Sequence, residues 1–369
     1  MPHHARSRLL LCLFLLPGLC GPVLARDTPR PEVPAAKAAK IEAAVTDLMK
    51  QHQVPGLSVA VAQNGQVVWQ KGFGKADLEN DVPVTPATKF RLASVSKPVT
   101  AVAILRLVEQ GKIDLDAPVQ KYVPSFPAKP WPITTRHLLC HVSGIRHYRA
   151  REIDSTRPYG SMTQSLEIFQ NDDLLFEPGT KLGYSTYAYT LLGCILEAAS
   201  GKSYMDCLRE EVLVPAGMTN THVDDVYAII PHRARGYARL GADQLRNAGL
   251  TDTSYKIPGG GLLAPAEDLA RFASALHNGK LLRPETLAQM ATRQKLKDGK
   301  EVGFGLGWNV SPAGVLSHSG GQQGTSTFLF LDLRRKIAVV LLANREGLGG
   351  NLGRLAPQLA GVVAGEEQR

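Results

Sequence analysis

Cysteine is scarce in this chain, five in 369 residues, and two of them, Cys12 and Cys20, fall within the first 25 positions. Cys140, Cys194 and Cys207 remain, enough for at most one bridge, which excludes a disulfide-stapled scaffold. Long apolar runs are missing too. Leu9 to Leu16 falls far short of the roughly 20 residues that cross a bilayer, and nothing downstream reaches that length. There is no long low-complexity tract, and with 44% hydrophobic residues the chain can bury a substantial core. No Gly-x-Ser-x-Gly elbow occurs, and GFGLGW (303 to 308) lacks the residues and context of a phosphate loop or dinucleotide fingerprint, so no cofactor is implied. His137, Cys140, His141 and His147 bring two histidines one helical turn apart. Without an acidic residue in that run the His-Glu-x-x-His pattern is absent, and packing explains it better than a metal does.

Charge is present but scattered. Lys and Arg number 42 against 33 Asp and Glu; the densest basic clusters, RQKLKDGK (293 to 300) and DLRRK (332 to 336), read as a loop and a hairpin turn without interleaved aromatics. A solvated surface is the reading, with no nucleic-acid partner. The start, MPHHARSRLLLCLFLLPGLCGPVLARD, has two arginines, a short apolar stretch and Val23-Leu24-Ala25 as a small-residue cleavage site, the pattern of a secretory signal peptide over 1–25. Cleavage there removes Arg6 and Arg8, taking 42 basic residues to 40 against 33 acidic, a formal +7. Leu19 stands before Cys20 where a lipobox wants a small residue, which disfavours a lipoprotein; a mitochondrial presequence is the second reading of the same acid-free segment. The expectation is a secreted, periplasmic protein with no stable membrane insertion in its mature form.

RDTPRPEVPAAKAAK (26 to 40) reads as a flexible lead-in, followed by a helix to about Gln53 and a domain over 41–369. LSVAVAQNGQVVWQKGFG (57 to 74) is two strand-like runs about Asn64-Gly65, a type I′ hairpin signal. TSTFLFLDLRRKIAVVLLAN (325 to 344) repeats the pattern, GVLSHS (314 to 319) adds a strand, and a last helix is expected over about 350 to 364. The middle shows helical patterns at Ser185 to Ser200 and Ala266 to His277. Two-stranded hairpins are marginal alone, so the two ends are expected to pair into one antiparallel sheet flanked by helices. That makes an α/β (α+β) fold: a sheet lobe from about 41–90 and 300–369, a mainly helical lobe from about 95–290, and a cleft between them.

RLASVSKPVT (91 to 100) leads into Val99 to Val108, a segment apolar nearly all round and therefore an interior helix, ended by Gly111. Pro98 fits only near its start, which puts Ser94 at or beside the helix N-terminus with Lys97 three residues on, on the same face. A serine hydroxyl needs a base, and an unperturbed lysine, with a pKa of about 10.4, is protonated at neutral pH; burial corrects that. Taken alone, Ser-x-x-Lys is weak, because the spacing is common and a serine at a helix start is often only a cap.

Further segments carry more: ITTRHLLCHVSGIRHY (133 to 148), FEPGTKLGYSTYAYTLLG (176 to 193), GGGLLAPAEDLARF (259 to 272), GFGLGW and HSGGQQG (318 to 324). Over roughly 41 to 345 they resemble the serine β-lactamase and penicillin-binding-protein superfamily, most of all the serine β-lactamase-like proteins also known from mitochondria. The first motif corresponds to Ser94 to Lys97; the second, Tyr-x-Asn, to Tyr184-Ser185-Thr186, with threonine in place of asparagine; the third, Lys/His-x-Gly, to His318-Ser319-Gly320. The resemblance implies a β-lactamase-like fold and acyl transfer through Ser94. Lys97 and Tyr184 would share the proton transfers, and the N–H groups of Ser94 and Gly321 would form the oxyanion hole. Thr186, His318, Ser319, Gly320 and Gly321 become the substrate-binding and oxyanion set, and the strand edge of the third motif would pair with an extended substrate.

Thr186 offers a hydroxyl where an asparagine offers an amide donor and acceptor, which argues against efficient β-lactam hydrolysis. His318 in place of lysine suggests a local charge that titrates near neutrality, as in some peptidases of the superfamily. Glu167 and Asn171 mimic a class A deacylation motif, but they precede Tyr184 and so are read as ordinary helix or loop residues. The partner is then a small-molecule or peptide substrate. The alternative is a peptide- or penicillin-binding or assembly protein of the same fold that does not turn over.

Overall fold

The computed structural model describes Met1, residues 32–241 and residues 244–366; the signal-peptide reading of 1–25 lies outside these. Alternation in the two hairpins sets the architecture. In the first, strands β1 (Gly56–Gln63) and β2 (Gln66–Asp77) meet at Asn64 and Gly65, with φ of 51° and 74°, the left-handed pair a type I′ turn requires. Val82–Pro83 (β3) extends β2. From the C-terminal side come β4 (Asn309–Val310), β5 (Leu316–Gln322), β6 (Thr325–Asp332) and β7 (Ile337–Ala343). They join in the order β3-β2-β1-β7-β6-β5-β4. The seam is antiparallel, Leu57 opposite Ala343 through Gln63 opposite Ile337, so the two ends of the chain close one seven-stranded sheet.

β7 reads IAVVLLA because both its faces are covered. Ile337, Val339 and Leu341 enter one core with Leu57, Val59 and Val61, beneath helices α1 (Ala35–His52) and α5 (Gly349–Ala364). Ala338, Val340 and Leu342 enter the other with Ala60 and Ala62, against helix α4 (Ala266–His277). Period-two side chains on a doubly covered strand leave no polar positions.

Helix α1 corrects the lead-in reading. Residues 35–40, expected to be flexible, are already helical, because Ala and Lys are good helix formers and Ile41, Val45 and Leu48 bury a continuous stripe. Val33 ahead of it is buried and its N–H bonds the Val68 carbonyl at 3.3 Å.

Helix α2 (Ser96–Glu109) is buried from Ser96 to Leu105 and again at Leu107, as its composition demands. It follows a 3₁₀ turn, Ala93–Val95, that carries Ser94. Helix α3 (Tyr187–Ser200) starts two residues later than its sequence pattern, because the Ser185 hydroxyl accepts the Ala188 N–H at 3.1 Å and ends the preceding loop. The middle segment is less purely helical than expected: Phe90–Arg91, Leu262–Ala264 and His222–Val223 form a small three-stranded sheet. It ties the residues before the Ser94 turn to those before α4.

β5 crosses the Ser94 turn so closely that only glycine fits at 320. A Cβ there would overlap the Thr327 hydroxyl and stand 2.5 Å from the Leu92 carbonyl, whereas a Cβ on Gly321 would meet open space. Gly320→Ala should therefore destabilise the protein by about 1–3 kcal/mol through overpacking, and Gly321→Ala should stay within about 0.5 kcal/mol. Denaturant midpoints at constant slope measure both; equal midpoints for the two variants would contradict this packing.

Candidate active site

The site begins with a strained residue. Ala93 has φ of 47°, left-handed backbone that costs a non-glycine residue of order 1–3 kcal/mol. Its neighbour is held from both sides: the Leu92 N–H bonds Leu262 O at 2.8 Å, and the Leu92 carbonyl accepts the Thr327 hydroxyl at 2.8 Å. The turn thereby presents Ser94, half-buried, at the head of α2. Side chains three apart eclipse in a 3₁₀ turn, and Lys97 Nζ lies 3.2 Å from Ser94 Oγ.

Lys97 is fully enclosed. Nζ has three partners: Ser94 Oγ, Thr186 Oγ1 at 3.1 Å and the Gly259 carbonyl at 2.7 Å. The carbonyl and Thr186 can accept the two N–H bonds of a neutral amine, which leaves the nitrogen lone pair for the proton of Ser94. No carboxylate pairs with Lys97 among the described residues. Burial, followed by the positive charge of Lys256, holds its pKa well below the ordinary lysine value. The rings of Tyr184 and Tyr189 flank Nζ at 4.9 and 5.3 Å.

Tyr184 donates its hydroxyl proton to Ser94 Oγ at 2.9 Å. Burial pushes its phenol above the usual value, partly offset by hydrogen bonding to Ser94. The same desolvation thus favours the neutral forms of both neighbours, an amine that can accept a proton and a phenol that can donate one. His318 joins from β5, its ring centroid 6.4 Å from that of Tyr184. Segments 90 positions apart thus meet at the Ser94 hydroxyl, and His318, more than 130 positions further on, packs beside Tyr184.

The third motif divides along β5. His318 and Gly320 face inward, Ser319 and Gly321 outward and exposed. β4 pairs only with Leu316 and Ser317, so from His318 onward one edge of β5 has no strand beside it. The expectation that His318 titrates near neutrality is corrected. The imidazole is buried, its Nδ1 lies 2.8 Å from the Ser319 carbonyl, and burial is the main cause that brings its pKa down to about 3. Nε2 has no partner.

Thr186 is buried with its hydroxyl on Lys97. A Cβ on Gly259 would stand 2.7 Å from the Thr186 methyl, so the glycine run 259 to 261 exists to bring its carbonyl onto the lysine. GFGLGW lies behind the same lysine: Gly307, φ 88°, packs on Ala101, and Trp308 stacks on Phe272.

The loop SGIRHY forms a wall of the site around Arg146, which pairs with Glu152 at 2.7 Å and Asp172 at 2.5 Å. It positions His147, whose Nδ1 accepts the Thr186 N–H at 3.3 Å, and Tyr148. His137 and His141 do not share a helical face, because the helix Thr135–Leu139 ends between them and His141 turns left-handed at φ 60°. His137 closes a capping box with Thr134, while His141 packs 4.3 Å from the Tyr184 ring. Cys140, Cys194 and Cys207 are free and buried. Glu167 is exposed at the end of the helix Met162–Leu166. His141 is the packing residue its segment suggested, whereas Arg146 and, most of all, Lys256 were not singled out from the sequence; only the neighbouring motifs pointed to their surroundings.

An imidazole with its pKa at about 3 stays neutral through the working range. Side-chain NMR should find no protonation step at His318 between about pH 5 and 8, and a midpoint near the ordinary value of about 6.5 would contradict the burial described.

The comparisons agree with this geometry. The family description "Beta-lactamase" matches residues 41–364. The chain is 30% identical to serine beta-lactamase-like protein LACTB, mitochondrial, of Homo sapiens, across 88% of this chain and 80% of that one. It is 31% identical to penicillin-binding protein 4* of Bacillus subtilis (strain 168), across 81% and 70%. Among solved structures EstCE1, a hydrolase with promiscuous acyltransferase activity, superposes with a TM-score of 0.76 at 27% identity, covering 89% of this chain and 98% of its own. With that match spanning the sheet, the serine turn and the tyrosine segment together, the chain belongs to the beta-lactamase family, within the serine β-lactamase-like and penicillin-binding-protein superfamily of serine hydrolases.

Proposed function

We propose that the protein is an acyl-transferring serine hydrolase that cleaves amide or ester bonds of a small-molecule or peptide substrate through an acyl-enzyme on Ser94. The observation that carries this reading is the pair of contacts on one oxygen: Lys97 Nζ at 3.2 Å and Tyr184 OH at 2.9 Å. Lys97, neutral by burial, takes the Ser94 proton as Oγ attacks the carbonyl carbon. Negative charge then develops on the carbonyl oxygen, and the N–H groups of Ser94 and Gly321 are its proposed donors, each worth about 2.7–4 kcal/mol in the transition state. Open space around Gly321, on the unpaired edge of β5, supports that assignment. The leaving group departs with a proton from Tyr184, which Lys97 restores. Water then attacks the acyl-enzyme with the same two groups working in reverse.

A neutral His318 supplies no fixed charge beside this oxygen, and Thr186 is occupied with Lys97. Both features favour ester or peptide substrates over β-lactams, in keeping with EstCE1, a hydrolase with promiscuous acyltransferase activity. Among the described residues no helix is long and apolar enough to cross a membrane. The charged, then apolar leader supports export to the periplasm, with a mature chain beginning at Arg26 as its signature.

A fluorophosphonate probe should label the protein, Ser94→Ala should abolish labelling, and Lys97→Met should slow it by about 10²–10⁴-fold, the usual worth of a general base. Mass spectrometry after exposure to ester and D-amino-peptide panels reads the second half of the reaction. An adduct that forms and never releases would identify a binding protein instead, and labelling that survives Ser94→Ala would overturn the assignment.

A further inference from the structure

A second lysine is buried beside the first. Lys256 is 1% exposed and follows Tyr255 in a 3₁₀ turn, Ser254–Lys256, that precedes the glycine run. Its Nζ lies 5.3 Å from the Tyr148 ring centroid and 5.2 Å from that of Tyr255. The stem passes the site: a Cβ on Gly260 would touch Lys256 Cδ at 3.7 Å, Gln322 Oε1 at 3.6 Å and the Ala93 carbonyl carbon at 3.8 Å. Lys256 is thus packed where the end of β5 meets the turn that carries Ser94, and its charge is felt by Lys97.

Nothing among the described residues neutralises this amine. Among the described residues Nζ has no carboxylate within ion-pair reach and no hydrogen-bond acceptor. The two carboxylates that act on it from a distance are engaged elsewhere. Asp224 pairs with Arg91 Nε at 2.5 Å, and Asp154 accepts from Gln323 Nε2 at 2.6 Å. Arg91 also donates to Thr251 and to the Gln323 carbonyl. Burying an ammonium without a counter-charge is costly, and here burial, with the charge of Arg91, brings its pKa to about 7. Cation–π contact with two tyrosines offsets part of that cost and leaves the amine without an anionic partner.

Resting on the acyl-transfer reading above, we propose that Lys256 is a substrate-recognition residue that binds a carboxylate of the acyl donor, so that the site selects esters or amides carrying a negative charge near the scissile carbonyl. A carboxylate there forms the charge-assisted contact that the fold leaves unmade. A lysine present only to fill the Tyr148–Tyr255 stack would give no such discrimination.

Two matched ester pairs test this and separate the two possible sources of the carboxylate. On the acyl side, 4-nitrophenyl 4-carboxyphenylacetate is compared with its carbamoyl analogue. On the leaving-group side, 3-carboxyphenyl acetate is compared with 3-carbamoylphenyl acetate. In at least one pair the wild-type kcat/KM should favour the carboxylate by about tenfold or more, the scale of one hydrogen bond to a charged group. Lys256→Met should bring that ratio near one, and Lys256→Arg should retain most of it. A wild-type ratio near one in both pairs, a measurement that depends on no variant, overturns the proposal, as does a ratio unchanged in a folded Lys256→Met. Should no ester be turned over in a Ser94-dependent way, the acyl-transfer reading fails. Recognition is then read from calorimetric binding of the same compounds to Ser94→Ala with and without Lys256→Met: a carboxylate preference lost with Lys256 sustains the proposal, and none overturns it.

Discussion

An amine sealed inside the protein, hydrogen-bonded to a serine hydroxyl and paired with no carboxylate among the described residues, is the constraint around which the rest of this structure is arranged. Burying Lys97 is unfavourable for the charged form and tolerable for the neutral one, so the fold gains a base by excluding water from it. Helix α2 provides the enclosure, the Gly259 carbonyl and Thr186 hydroxyl accept the two N–H bonds of the neutral form, and GFGLGW closes the space behind. The environment that frees the lysine lone pair also keeps Tyr184 a phenol, and proton donor and proton acceptor both contact one oxygen.

That arrangement needs strain and close approach at its edge. Ala93 is held in a left-handed conformation by contacts from Leu262 and Thr327 to its neighbour Leu92, and β5 reaches the turn only because residue 320 has no side chain. Thr327 and Gly320 come from the C-terminal half of the seven-stranded sheet and Leu262 from the small three-stranded one, whereas the serine lies in the N-terminal third of the chain. Closing β1 on β7 is what brings the two together, so the sheet seam positions the candidate site as well as forming part of the core.

Much of this was legible in the sequence, for identifiable reasons. Hairpins joined by Asn64-Gly65, an apolar segment beginning at Val99 and the amphipathic stretch Ala266 to His277 are local patterns whose periodicity survives folding. Ser94, Lys97, Tyr184 and His318 were found because their spacing resembles a known motif set, and the geometry brings them together. What stayed hidden depends on distant partners. The lead-in was read too long because proline and charge at 26–34 masked the helix-forming residues from Ala35 onward. Nothing in the letters around Phe90, His222 and Leu262 announces two- and three-residue strands paired across about 40 positions in one case and about 170 in the other. Burial of His318 is set by its neighbours rather than its own segment, which reversed the expected titration. Lys256, one lysine in an unremarkable tripeptide, becomes visible only when the ring faces and the glycine backbone around it are placed.

Direct titration of the Lys97 side chain by NMR, assigned by its loss in Lys97→Met, tests the central claim. Unperturbed lysine titrates at about 10.4. A midpoint well below that value, with the amine neutral as Ser94 becomes reactive, is the result the structure predicts. A midpoint at about 10.4 or above would mean that Lys97 stays an ammonium at working pH and is not the base that activates the serine.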